Sequence, residues 1–155
     1  MVTSGGEAVV REVRIAAKPE IVFDFFTDPA KMAQWKGMSC MLDARPGGIY
    51  RCDLNGHNVI RGEYIEVLPY TRIVFSFGWE GENPLVPPGG STVEVTFLAE
   101  GEGAVVRLRH TGLVGEAAQE HAQGWDHFLA RLVIAAGGGD PGPDPWAQPE
   151  PSSSA

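Results

Sequence analysis

Hydrophobic and polar positions alternate through AVVREVRI (8–15): Val9, Val13 and Ile15 share one side and Glu12 and Arg14 the other, the period of a strand. After AAK the spacing changes. In PEIVFDFFTDPAKMAQW, Pro19 suits a helix start, and Ile21, Val22, Phe25 and Phe26 fall on one helical face until Pro29 interrupts it. Two short helices follow, the second closed by Trp35. From Met38 to Gly112 the chain breaks into short β-rich runs, SCMLDA, GIYRCDL, NVIRGEYIEVL, RIVFSFGW, TVEVTFLAE and AVVRLRHTGL. The links RPGG, NGH, LPYT and EGEG are short turn sequences, so neighbours should pair antiparallel as a meander. Only EGENPLVPPGGS is longer, and three prolines stiffen it. VGEAAQEHAQGWDHFLARLVIAA (114–136) then reads as one long helix of roughly 30 Å. Trp125, Phe128, Leu129 and Leu132 stand at i, i+3, i+4 and i+7 on a single face of it.

A strand, two short helices, about six more strands and a long helix make an α+β domain. Its curved antiparallel sheet of about seven strands has one apolar face to cover, and the amphipathic C-terminal helix is the natural cover. A strongly twisted sheet curls around a single helix and is filled by it imperfectly, which predicts a gap between them as the ligand site.

Composition narrows the field. The chain has 155 residues, 43% hydrophobic and 21% charged, enough for one core, placed at 8–136. Residues 1–7 read as a flexible N-terminus. The tail 137–155, rich in Gly, Pro and Ser, should be mobile, with Trp146 as its one docking candidate. A net charge of −8 with twelve scattered basic residues argues against nucleic acid. No membrane-length apolar run and no signal peptide are visible, which predicts a cytoplasmic protein. Two cysteines, Cys40 and Cys52, flank the hairpin signal DARPGGIYR and should face each other across it, either as free thiols or as a cross-strand disulfide.

The segments PEIVFDFFTDPAKMAQW, DARPGGIYRCDLNG, GEYIEVLPYTRIVFSF, STVEVTF, VVRLRHTGL and GWDHFLARL, in this order and spacing, span about residues 8 to 135. The chain they compose resembles the START-like (SRPBCC) superfamily of polyketide cyclase-like and birch-pollen-allergen-like proteins. Within it, the chain is most similar to the heat-shock-protein-90 ATPase activator-like domains. The resemblance implies a helix-grip fold with an apolar cavity between sheet and long helix. It leaves activity open among carriers, cyclases, receptors, drug-sequestering proteins and co-chaperones. Eukaryotic co-chaperones of this kind carry an additional N-terminal docking domain, whereas this chain begins at the first strand; chaperone activation therefore ranks last.

Alternation turns Ile73, Phe75, Phe77 and Trp79 inward, with Val93, Val95 and Phe97 on one neighbouring strand and Val106, Leu108 and His110 on another. Facing them on the helix are His121, Trp125 and Phe128, with Leu129 and Leu132 deeper. Tyr50 and Cys52 extend the lining. Trp35, Phe75, Phe77, Trp125 and Phe128 either stack on a flat ligand or simply form core. The expected ligand-binding set is Trp35, Tyr50, Phe75, Phe77, Trp79, Val95, Phe97, His110, His121, Trp125 and Phe128. His110, expected near the cavity mouth, either orients a ligand or acts as a base, or else satisfies itself on a carbonyl or on the Trp125 indole. Gly124 would allow the sheet or a ligand to approach the helix beside Trp125.

Other chemistry is weakly indicated. His121 and His127 lie about 240° apart around the helix at roughly 100° per residue, so they cannot share a metal. His57 belongs to a solvated turn, and no metal or other cofactor is expected. Glu63 and Glu66 should fall on opposite faces, and Glu63 either points into the pocket, marks the sheet edge, or pairs with Arg61 or an arginine of a neighbouring strand. The first reading is a binding module for a small apolar or aromatic molecule, without catalysis. A cyclase using His110 with Tyr50 or Glu63 is the alternative, and a chaperone cofactor the third. A homodimer is compatible with all three.

Overall fold

The computed structural model describes residues 7–37, 39–82, 84 and 86–145. Among them, β1 (Glu7–Ile15) is followed by α1 (Pro19–Thr27) and α2 (Pro29–Met32). The meander β2 (Ser39–Leu42), β3 (Ile49–Asp53), β4 (Val59–Leu68), β5 (Arg72–Phe77), β6 (Ser91–Glu100) and β7 (Gly103–Leu113) comes next, and α3 (Glu116–Ala136) closes the domain. The strands form one antiparallel sheet in the order β1-β7-β6-β5-β4-β3-β2, so each hairpin pairs with its neighbour in sequence and only β1 crosses to the far edge. The curved sheet with α3 along its inner face is the architecture that the periodicity predicts.

Local signals place the elements. Pro19 opens α1, where a missing N–H costs nothing, and Asp28 caps α2 by accepting from the backbone N–H of Ala30 and Lys31. α1 buries Val22, Phe23, Phe25 and Phe26, and both Phe23 and Phe26 meet Phe97 of β6 edge-on, with centroids 5.6 and 5.3 Å away. Tyr64 of β4 donates its hydroxyl to the Phe26 carbonyl at 3.0 Å, and the Trp35 indole donates to the Phe25 carbonyl at 2.8 Å. These bonds tie the short helices over one end of the sheet, while Leu129 and Leu132 of α3 are buried in the core.

Three expectations need correction. The β4–β5 register shifts between Tyr64 and Glu66, a bulge that inserts one residue and moves Glu66 to the outer face, where it pairs with Arg72. Glu63 is exposed on that same outer face, so the two carboxylates are not on opposite faces, and Glu63 does not point inward. The folded part also extends beyond residue 136. Asp144 is buried, its Oδ1 lies 2.8 Å from His127 Nε2, and Arg131 donates to the carbonyls of Pro141 and Gly142. Polar capture of a Gly/Pro segment needs no apolar periodicity, which is why the tail reads as mobile. Trp146 and residues 1–6 lie outside the described residues.

Candidate functional site

Between β4, β5 and α3 lies a cleft of about 470 Å³. Ile60, Phe77 and Trp79 form its sheet wall; Leu54, Asn58 and Pro84 come from loops; His121, Gly124, Trp125 and Phe128 line the helix wall. Glu80 and the exposed Glu120 are the acidic groups at its margin. Glu80 is already engaged by Arg51 at 2.8 Å and Arg61 at 3.3 Å. A Cβ built on Gly124 would meet nothing within 4 Å, so the missing side chain is open volume in the cleft and not a close approach of the sheet.

Lys36 is the cleft's buried charge. Its backbone N–H continues the turn of α2 by bonding the Met32 carbonyl at 2.8 Å. Gly37 then turns the chain toward β2 at φ +92°, a conformation that disfavours a side chain, in a place where a Cβ would also crowd the Asp53 carbonyl. The Lys36 side chain is therefore driven into the core, with the residue only 2% exposed. Its Nζ sits 4.3 Å from the Trp125 ring centroid and within 6 Å of the rings of Trp35, Tyr50, Phe77 and Phe128. It donates to the Tyr50 hydroxyl at 3.1 Å. Burial pushes its pKa down to about 8, so the ammonium form dominates at neutral pH.

Two histidines, His121 on the cleft wall and His110 in the layer behind it, are spoken for. Trp125 Nε1–H donates to His110 Nδ1 at 3.0 Å, which leaves the proton of the neutral ring on Nε2, facing Ser91 Oγ at 2.8 Å; Ser91 in turn donates to the Phe77 carbonyl. Burial pushes His110 down to about 3. Across the cleft, Trp79 Nε1–H donates to His121 Nε2 at 3.0 Å, and His121 Nδ1–H faces the Ala117 carbonyl at 2.7 Å. Burial lowers the His121 pKa as well.

The model of the family described as activator of Hsp90 ATPase homolog 1-like protein matches residues 16–137. The chain belongs to this family. An AHSA1-like protein from Rhizobium etli is 40% identical over 97% of this chain and 95% of its own, with a TM-score of 0.72. DynU16, a protein in the dynemicin biosynthetic locus, is 25% identical with a TM-score of 0.75; the match covers 86% of this chain but only 48% of DynU16. An Hsp90 activator from Plasmodium falciparum shares the fold at 21% identity, covering 82% of this chain and 94% of its own with a TM-score of 0.67. No curated protein matches the chain in sequence.

In this AHSA1-like domain the expected lining residues separate into two groups. Phe77, Trp79, His121, Trp125 and Phe128 meet at the cleft. Tyr50 and Phe75 stack at 4.1 Å one layer behind it, where Tyr50 reaches the cleft only through Lys36. Val95 is core, and Trp35 and Phe97 pack with Phe26 at the α1 end. His110 is not at the cavity mouth. It is fully buried behind Phe77 and Trp125, because its strand runs under the helix and not past its end. Cys40 and Cys52 do face each other, as free thiols with Sγ atoms 3.0 Å apart.

Apolar periodicity passes over Lys36, a single charge among twelve basic residues. The signal that finds it is positional: Met32, Trp35 and Lys36 stand at i, i+3 and i+4, so the lysine shares the buried face of its turn.

Proposed function

We propose that this AHSA1-like domain binds a small aromatic or apolar molecule in the cleft between β4–β5 and α3, in the cytoplasm and without catalysing a reaction on it. The observation that carries this reading is the open volume beside Gly124, walled by Phe77, Trp79, Trp125 and Phe128. Volume and lining of this kind suit a ligand of a few fused rings. The residues offered for catalysis support binding more than turnover. His110 has both ring nitrogens engaged, Glu63 lies on the outer face, and burial raises the Tyr50 hydroxyl well above its ordinary pKa.

The test is fluorescence titration with the uncharged probe N-phenyl-1-naphthylamine against wild type and Gly124→Leu. A leucine at 124 projects into the cleft and improves helix propensity, so the variant should melt no lower than wild type while binding the probe at least about tenfold more weakly. Equal affinity in the two proteins would place the probe elsewhere and remove the reading.

A further inference from the structure

Among the described residues, every charged group at the cleft except one has a partner or faces water. Glu80 is held by two arginines, Glu120 is exposed, and both histidines are neutral with their ring nitrogens occupied. Lys36 is different. It is buried, it lines the cleft, and among the described residues no carboxylate oxygen comes within 4 Å of its Nζ, whose one hydrogen bond goes to the neutral Tyr50 hydroxyl. Its titratable neighbours on β2 and β3, Cys40 and Cys52, are hydrogen-bonded to each other. Ring faces attract an ammonium but do not accept its remaining N–H groups, and a desolvated cation lacking an anion is held at a cost that a bound anion would offset.

We propose, on the reading that the cleft holds a small aromatic molecule, that this ligand carries one acidic group which pairs with Lys36 Nζ at the cleft floor. The ligand class is then a flat aromatic acid bearing a carboxylate, a sulfonate or an ionised phenol or enol. Its rings lie between Phe77 and Trp79 on the sheet side and Trp125 and Phe128 on the helix side, and its anionic end points toward Lys36. The acid brings the counter-charge that the protein does not supply, and the aromatic box excludes the water that would otherwise screen the pair.

A matched probe pair separates this from simple apolar binding: 8-anilinonaphthalene-1-sulfonate and N-phenyl-1-naphthylamine share their rings and differ in the sulfonate. Wild type should bind the sulfonate at least about tenfold more tightly than the neutral probe, and Lys36→Met should abolish that preference while changing the neutral probe by no more than about twofold. Tyr50→Phe keeps the ammonium and removes its internal partner, so it should retain the preference; circular dichroism and melting curves verify that each variant is folded. A wild type with no preference for the sulfonate, or a Lys36→Met variant that loses both probes equally, overturns the acid-pairing role. Those results leave the cleft reading standing if Gly124→Leu still blocks the neutral probe, whereas indifference of both probes to Gly124→Leu defeats the cleft reading itself.

Discussion

The Trp125 indole donates to Nδ1 of His110 at 3.0 Å, joining the centre of α3 to the inner face of β7. This bond occupies the lone pair a general base would need, and it requires the imidazole to stay neutral, because a protonated ring has no acceptor nitrogen. Of the two roles the sequence leaves open for His110, a ligand-facing base or a core histidine satisfied by the Trp125 indole, the geometry matches the second, a strut between sheet and helix.

Its folded pKa, pushed by burial to about 3 from an ordinary 6.5, sets a pH dependence. Between those values the unfolded chain binds a proton that the native state does not, so the contribution is complete above pH 6.5 and is lost as pH falls toward 3. From pH 7 to pH 5 wild type should lose about 2 kcal/mol through this group, a loss absent from His110→Gln. Urea titrations of both proteins at the two pH values check it; parallel losses would show that His110 titrates normally.

Lys36 predicts the opposite of the usual cost of mutating a buried residue. Its pKa is lowered to about 8 from 10.5, so the penalty for burying the charge is complete below pH 8 and gone above 10.5. Lys36→Met should be more stable than wild type at pH 7 by about 1 to 3 kcal/mol, with the gap narrowing as pH rises through 8 to 10.5. Thermal melts across that range measure it, and a destabilised variant at pH 7 would mean that the ammonium is well compensated inside the protein.

Arg131 joins three parts of the chain. It donates to the carbonyls of Gln34 and Trp35 next to the cleft floor, and to those of Pro141 and Gly142, while its Nε lies 3.6 Å from the buried carboxylate of Asp144. Arg131→Ala should cost about 2 kcal/mol. It should also speed amide exchange in residues 138–145 beyond that of the rest of the domain, which hydrogen exchange read by mass spectrometry would detect.

Cys40 and Cys52 are directly opposed across β2 and β3. The hydrogen bond from Cys52 holds the Cys40 thiol below its ordinary pKa, so Cys40 is the sulfur that attacks first. Attack on oxidised glutathione should release one reduced glutathione and leave a mixed disulfide on Cys40, from which the Cys52 thiol displaces the second as it closes the intramolecular bond. The product is two hydrogens lighter than the dithiol and more stable by about 3 kcal/mol. Intact-mass spectrometry and melting curves read both effects, and persistence of a glutathione adduct would mean that the pair cannot close.

The sequence by itself determined the order of elements, the antiparallel meander, the inward set of each strand and the division of the α3 face into Leu129 and Leu132 below and His121, Trp125 and Phe128 beside the gap. These are consequences of local period: an apolar stripe must be buried whatever covers it, and turn residues set which strands can pair. The Cys40–Cys52 opposition follows from the same hairpin arithmetic. Where the rule is interrupted, the reading slips, as at Tyr64, where one bulged residue carries Glu66 to the face of Glu63.

Tertiary structure alone decided the chemistry of the cleft. The rings around Lys36 come from Trp35, Tyr50, Phe77, Trp125 and Phe128, separated by up to most of the chain, and no local pattern says that they converge on one nitrogen. The same holds for His110, whose role depends on which indole reaches its ring, and for Asp144, buried through partners on α3. Periodicity records which side of an element avoids water. What a buried polar group can do depends on the partners that distant elements bring to it.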